Sequence, residues 1–481
     1  MTSEHSATQL LPFGFHRLDA DSVVAVSAAG DHAFLTQDEL MALIQAPTKL
    51  SLTKRAELQS KHFLSNERAS GSSQLLQARI AARKETVIAG QSLHIFVPTL
   101  QCEHSCRYCQ VSRRLEDTGH CMTPAQIDAA CRTMFQSPAL TLTVEFQGGD
   151  PLLRFDLIRQ AIDLIQQLNI EHKRSIRFVI TSTLHQLTPD MCEYLRDNQV
   201  YLSTSLDGPA ELHNKNRPLP SRDAHARTVA GIELARTIIG PHAVAALMTT
   251  TRASLDHPEA IVDEYVKHGF GEIVMRPLSL YGFAKRNIKH LGYTQSQFNV
   301  FYQRALKRVL EWNKKGTPLR EGTAALILNK LLSPFDAGYA DLQSPTGSGL
   351  CVLVYNYDGF VYPSDEARML AETGDSSLRL GRIGEPLTQL MASSVMQQLL
   401  DTSMSTQVSG CKDCAFNSFC GPDPVAAQAE FGSLQAHVLL TEHCRRYKWL
   451  FEFFLRKLRC ADEPFLDLAY CWAHPAGTAD A

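Results

Sequence analysis

The chain has 481 residues, with 47 Lys and Arg against 50 Asp and Glu and a formal net charge of −3. That length calls for two or three domains, and the near balance of charge leaves no basic field for nucleic acid. No apolar run has the length of a membrane-spanning helix, so neither a nucleic acid nor a membrane partner is expected.

Met1–Gln9 lacks a charged stretch followed by an apolar one, so no export signal is read there. Thirteen cysteines without such a signal argue against a disulfide framework. They favour reduced thiols and metal ligation in the cytoplasm.

Residues 1–88 read as a small N-terminal α+β domain. Ser22–Ser27 and Ala33–Leu35 are expected as short strands turning at Gly30-Asp31. Thr36 and Glu39 have capping-box spacing, and Leu40, Met41, Leu43 and Ile44 share a helical face. Further helices are expected over Leu52–Phe63 and Ser73–Lys84.

From residue 89 strands and helices alternate. Apolar, β-rich runs fall at 93–98, 140–147, 176–183, 200–206, 244–251 and 272–278. Helical patterns separate them, as at Pro124–Phe135, Phe155–Leu168, Ala224–Ile238 and Pro258–His268. Six such units imply a parallel sheet with right-handed crossovers, two short of a closed eight-stranded barrel. The domain is expected to span 89–335, with chemistry on loops at the C-terminal ends of its strands.

The first such loop holds Cys102, Cys106 and Cys109, spaced C-x3-C-x2-C, with Tyr108 before the last. Crowded thiolates at a strand end need a metal to neutralise them. A four-iron cluster held by three thiolates keeps one iron open, and an open position makes a metal site catalytic. Zinc, or three unrelated buried cysteines, are the alternatives. After the second strand comes Gln147-Gly148-Gly149-Asp150-Pro151, where glycine admits a close ligand and Asp150 can meet an ammonium. The third strand ends at Thr181-Ser182-Thr183, and the fourth at Ser205-Leu206-Asp207-Gly208-Pro209 with Arg217 beyond. Strand-end capping is the alternative role for Ser182 and Ser205.

Residues 336–481 form a C-terminal cysteine-rich region. Val352, Val354 and Tyr357, then Phe360 and Tyr362, flank Asp358-Gly359 as a β-hairpin. Cys411-x2-Cys414-x5-Cys420 follows, then Cys444. Four-cysteine zinc ligation is one reading of this set.

These motifs resemble the radical S-adenosylmethionine (SAM) enzymes, and the C-terminal region resembles their SPASM module. The resemblance implies an α/β fold: a partial (β/α)6 barrel with the two flanking domains. It implies a [4Fe-4S] cluster on Cys102, Cys106 and Cys109 whose open iron binds SAM. In that family an electron from the cluster splits SAM into methionine and a 5′-deoxyadenosyl radical that abstracts hydrogen. Tyr108, Gly148, Gly149, Asp150, Ser182, Ser205 and Arg217 match positions around the bound SAM. Two ligand positions of the first SPASM cluster are Ser364 and Pro424 here. One auxiliary [4Fe-4S] cluster is therefore expected, on Cys411, Cys414, Cys420 and Cys444. Asp365 matches a proposed base of the sulfatase-maturing relatives; pairing with Arg368 is its alternative role.

Leu11–Leu18 and the segments Asn356–Gly359 and Asp365–Leu370 resemble the His-Xaa-Ser system maturases. The N-terminal domain resembles winged-helix modules that capture a leader peptide by strand addition; a capping role is its alternative. The implied partners are a precursor with His-Xaa-Ser repeats, companion maturation proteins, and an electron donor such as flavodoxin or ferredoxin. A formylglycine-generating sulfatase maturase and a non-enzymatic metal-stapled binding protein are the rival functions.

Overall fold

The computed structural model describes residues 8–66, 70–116 and 119–474. Most of the stretch read for an export signal, residues 1–7, lies outside them. The chain forms two compact units, and neither is continuous in sequence.

The first unit comprises Met1–Ile88, Ala324–Gly347 and Leu399–Ala481. Its sheet is antiparallel, ordered Phe13–Arg17, Ser22–Ser27, His32–Thr36. The sequence reading had only the last two strands. Gly14 and Pro12 weaken the β signal of the first, whose register is instead set by packing. All six residues of Ser22–Ser27 are buried, so both faces of this sheet are covered. Val23, Ala25 and Leu35 pack with Leu40, Leu43 and Leu58 of the following helices and with Phe63 beyond them. On the other face, His16 meets Glu452 at 3.2 Å and its ring lies 5.2 Å from that of Phe416. A Cβ on Gly14 would sit 2.7 Å from the Ala415 Cα, so only glycine allows this approach. The sheet is thereby built onto the segment carrying Cys411 and Cys414. The capping box forms as expected, Thr36 accepting from the Glu39 N–H at 3.1 Å and Glu39 from the Thr36 N–H at 2.9 Å.

Arg83 is a buried fastener in the same unit. It donates to the carbonyls of Ala29 at 2.6 Å, Ser333 at 3.0 Å and Lys330 at 3.2 Å. Those carbonyls come from segments far apart in the chain, and a buried carbonyl without a donor is costly.

The second unit comprises Ala89–Thr323 and Ser348–Gln398. Its strands are β1 (Leu93–Thr99), β2 (Thr141–Gly148), β3 (Ser175–Thr181), β4 (Val200–Ser205), β5 (Val244–Thr249) and β6 (Met275–Arg276). β7 (Val352–Tyr355), β8 (Phe360–Tyr362) and β9 (Gly381–Arg382) follow. The sheet order is β6-β5-β4-β3-β2-β1-β7-β8-β9. β1 to β6 are parallel to their neighbours, as the alternation of strands and helices predicts. β6 is shorter than the run from 272 to 278 suggests, because Glu272–Ile273 pairs with Arg320–Glu321 in a separate two-stranded sheet.

The expected hairpin around Asp358-Gly359 is β7-β8. β7 lies parallel to β1, Val352 opposite Leu93 and Tyr355 opposite Phe96. The hairpin thus extends the main sheet on the far side of its first strand. Pairing between residues some 260 positions apart leaves no local sequence signal.

Candidate active site

The cysteine loop follows β1 and is tied down by backbone hydrogen bonds. Cys102 N–H donates to the Arg114 carbonyl at 2.9 Å, Ser105 to Pro218 at 3.1 Å and Arg107 to Asn216 at 3.2 Å. Phe283 N–H donates to the Cys109 carbonyl at 2.8 Å. Cys109 N–H donates to the Cys106 carbonyl at 3.2 Å, so these two cysteines close one turn.

Burial pushes the Cys106 thiol up to about 12, and the Cys102 and Cys109 thiols up as well. Cys102 also feels Asp150, Cys106 and Cys109, so the three thiols share one electrostatic neighbourhood. Three thiols so placed, Cys102 buried and Cys106 and Cys109 half-buried, suit a cationic centre that stabilises their thiolates. The residues present therefore fit a [4Fe-4S] cluster with one iron left open.

The glycine turn after β2 lies directly against the start of this loop. Gly149 N–H donates to the Thr99 carbonyl at 2.9 Å, and Asp150 N–H to the Gln101 carbonyl at 2.7 Å. Gly148 has φ +134°, a region that favours glycine. A Cβ on Gly149 would lie 2.1 Å from the Gln101 oxygen and 2.4 Å from the Leu100 carbonyl carbon. Two adjacent glycines thus let the turn reach the residue preceding Cys102.

Asp150 is 2% exposed. Its carboxylate accepts from the Ser182 hydroxyl at 2.6 Å, from the Thr183 hydroxyl, and from the Leu152 N–H at 3.3 Å. Ser182 thereby ties the end of β3 to the glycine turn. Ser205 ends β4, half-buried.

Tyr108, Arg217 and Asp207 form one buried group. The Tyr108 hydroxyl donates to Asp207 Oδ2 at 2.6 Å, and Arg217 Nε to the same oxygen at 3.2 Å. The Arg217 guanidinium lies 5.2 Å from the centre of the Tyr108 ring. Asp207 Oδ1 accepts from the Thr249 N–H at 3.2 Å. Arg217 thus finds its carboxylate within the chain, and the trio clamps the cysteine loop to the ends of β4 and β5. The sequence places Asp207 only within the run that ends the fourth strand and assigns it no site role of its own. Tyr108→Phe removes one of its charge-assisted bonds and should cost about 1–3 kcal/mol. A thermal midpoint equal to that of wild type would contradict this.

Asp365 opens the helix Asp365–Ala371, and its Oδ1 accepts from Arg368 Nε at 2.9 Å. Ser364 is the N-cap of that helix, accepting from the Ala367 N–H at 3.2 Å.

Glu145 on β2 is a residue the sequence reading missed. Its carboxylate accepts from the Thr181 hydroxyl at 2.8 Å on β3. Burial raises its pKa, Asp365 raises it further, and Arg276 on β6 opposes them. A glutamate in a strand of alternating burial carries no signal beyond its exclusion from an apolar face. The native carboxyl holds its proton to higher pH than the unfolded one, so stability falls as pH rises from about 4.5 through the native value. Glu145→Gln removes that fall. Its thermal midpoint should gain on wild type as pH rises above about 4.5; a difference independent of pH would contradict the assignment.

In the first unit, Cys411, Cys414, Cys420 and Cys444 line a single small cavity, together with Phe416, Phe451 and His443. Cys414 N–H donates to the Cys411 carbonyl at 3.0 Å. Cys444 lies in the first turn of Glu442–Arg459, its N–H donating to the Thr441 side chain at 3.1 Å. Burial pushes the Cys411 thiol up to about 12 and raises Cys420 and Cys444. Pro424 begins the helix Pro424–Phe431, capped by Asp423. Among the described residues no two of the thirteen cysteines form a disulfide.

A parallel sheet with a three-cysteine loop after its first strand and a glycine turn after its second defines a class. Residues 96–265 match the radical SAM superfamily model, and this part of the chain is a radical SAM domain. The cofactors of that superfamily are a [4Fe-4S] cluster and SAM.

Three relatives place it further. A cysteine-type anaerobic sulfatase-maturating enzyme of Clostridium novyi is 21% identical over 330 residues, covering 66% of this chain and 83% of its own. The solved structure of native anSMEcpe with bound AdoMet and Kp18Cys peptide is 18% identical with a TM-score of 0.64, covering 79% of this chain and 99% of that one. Streptococcus suis SuiB bound to its precursor peptide SuiA is 15% identical with a TM-score of 0.56, covering 91% and 100%. At these identities the solved structures share the fold with this chain. Among the described residues, no helix is long and apolar enough to cross a membrane.

Proposed function

We propose that this protein is a radical SAM enzyme that modifies a ribosomally made precursor peptide of the His-Xaa-Ser type. The observation carrying the proposal is the loop of Cys102, Cys106 and Cys109 with the Gly148-Gly149 turn hydrogen-bonded against its start. Bound there, the cluster and SAM supply a 5′-deoxyadenosyl radical for hydrogen abstraction.

The chain's own residues prepare that chemistry. Three cysteines hold the cluster, and the Tyr108–Asp207–Arg217 clamp fixes their loop. Gly148 and Gly149 leave room for the methionine end of SAM, and Asp150 sets its amino group. Ser182 orients Asp150, and Ser205 meets the ribose side. Burial of the loop excludes water from the open iron.

Glu145, Thr181, Arg276 and Asp365 supply acceptors and a cation for a polar peptide side chain, imidazole or hydroxyl. In this reading Asp365, which pairs with Arg368 in the structure, acts as the base. The Phe13–Arg17 and His32–Thr36 strands are edges among the described residues, and one of them captures the leader segment by strand addition. Cys411, Cys414, Cys420 and Cys444 hold one auxiliary [4Fe-4S] cluster, fully ligated and suited to electron transfer. Companion proteins and a flavodoxin- or ferredoxin-type donor complete the system.

The test is anaerobic co-expression with a small precursor containing His-Xaa-Ser repeats. The peptide should return with a changed mass that wild type produces and Asp365→Asn does not. Reconstituted protein should carry about eight irons per chain, as two four-iron clusters require. An unmodified peptide alongside active SAM cleavage would refute the substrate while sparing the chemistry.

A further inference from the structure

We propose that His225, Glu264 and His268 form a binding site for a divalent transition metal, zinc by donor set, on helices outside the main sheet. His225 is the second residue of the helix Ala224–Ile238, which follows β4. Glu264 lies in Pro258–Lys267, which follows β5, and His268 caps that helix. Glu264 and His268 are four residues apart, so they share one helix face. His225 reaches them from the other helix.

The geometry is that of a ligand set. His225 Nε2 and His268 Nε2 each lie 2.9 Å from Glu264 Oε1. The three donor atoms all fall within 4.8 Å of one another. Zinc bonds nitrogen and carboxylate oxygen at about 2.0–2.2 Å. Tetrahedral ligands at that radius stand about 3.3–3.5 Å apart, so a metal enters by small outward shifts of groups already in place. Two imidazoles and one carboxylate suit zinc and its first-row neighbours rather than magnesium or calcium, which take oxygen.

The surroundings support the assignment. Glu264 is 6% exposed and His225 9%. The His268 side chain is 15% exposed, which opens one side for a water in the fourth position. Glu264 Oε1 is also 3.0 Å from Lys267 Nζ, so one oxygen faces three donors. A carboxylate oxygen has about two lone-pair sites, so that arrangement is oversubscribed. The Lys267 side chain is 64% exposed and already reaches Oε2 at 3.3 Å, so it can withdraw. Behind the site the His213 ring lies 5.6 Å from that of His225. His213 Nδ1 accepts the Asp207 N–H at 3.3 Å, which leaves the proton on Nε2. His213 therefore closes the site without ligating.

The site connects to the cysteine-loop clamp through the backbone. His225 N–H donates to Asn214 Oδ1 at 2.8 Å, and His213 accepts from Asp207. A metal here braces the segment from Asp207 to Arg217, which holds Tyr108. That bracing does not depend on which peptide is modified.

The test uses anaerobically purified, cluster-loaded protein exposed to zinc and then desalted. Wild type should retain about one zinc per chain in addition to its iron, with nitrogen and oxygen but no sulfur in the zinc first shell by X-ray absorption. His225→Ala with His268→Ala should lose that zinc and keep its iron. Zinc should raise the thermal midpoint of wild type and leave that of Glu264→Gln unmoved. Sulfur in the zinc shell, no zinc retained by wild type, or equal retention by a folded double variant would each overturn the proposal. Should the double variant fail to fold, the absorption spectrum of wild type decides alone.

Discussion

Cys106→Ala is expected to abolish formation of 5′-deoxyadenosine from SAM under reductant, a loss of at least about 1,000-fold. Two thiolates hold a four-iron cluster poorly, and the affected turn also carries Cys109. Iron should fall by about four per chain while the second cysteine set keeps its own. The fold should survive, because the loop is anchored by backbone bonds at Arg114, Pro218, Asn216 and Phe283 rather than by its sulfurs. The checks are iron and sulfide content with product chromatography. A variant that still cleaves SAM would end the assignment of this loop.

Gly149→Ala should do comparable damage by a different route. Its Cβ would overlap the Gln101 oxygen and the Leu100 carbonyl, both backbone atoms that cannot rotate aside. The turn must then retreat from the strand end, breaking the Gly149–Thr99 and Asp150–Gln101 bonds of 2.9 and 2.7 Å. Overpacking of this kind costs about 1–3 kcal/mol in stability. The larger effect should fall on SAM, which we propose binds against this turn. Affinity should drop by about 100-fold, since a misplacement near 1 Å has that scale. Equilibrium dialysis of SAM against the cluster-loaded variant measures it. A variant binding SAM as wild type does would remove the turn from the site.

The parts of this architecture visible in the sequence are those with local causes. The cysteine spacing, the glycine pair and the capping box at Thr36 each depend on residues a few positions apart. The alternation of strands and helices from residue 89 also carried through to the sheet. What stayed hidden depends on distant segments. Asp207 gains its meaning only when Tyr108 and Arg217 arrive, and Glu145 only when Thr181 and Arg276 do. His225, Glu264 and His268 lack motif spacing because two helices supply them. The first strand of the N-terminal sheet is fixed by Ala415 and Phe416, about 400 residues downstream.

The parallel pairing of β7 with β1 sets an order of events during synthesis. β1 leads into the cysteine loop, yet one of its two neighbours is not made until residue 355. Until then that edge of the strand has open backbone donors and acceptors, the state most prone to aggregate. A nascent chain therefore carries its three cysteines through some 250 further residues before the strand beneath them is enclosed. On the proposed assignment, a cluster assembled earlier would sit beside an unpaired strand edge until that hairpin leaves the ribosome.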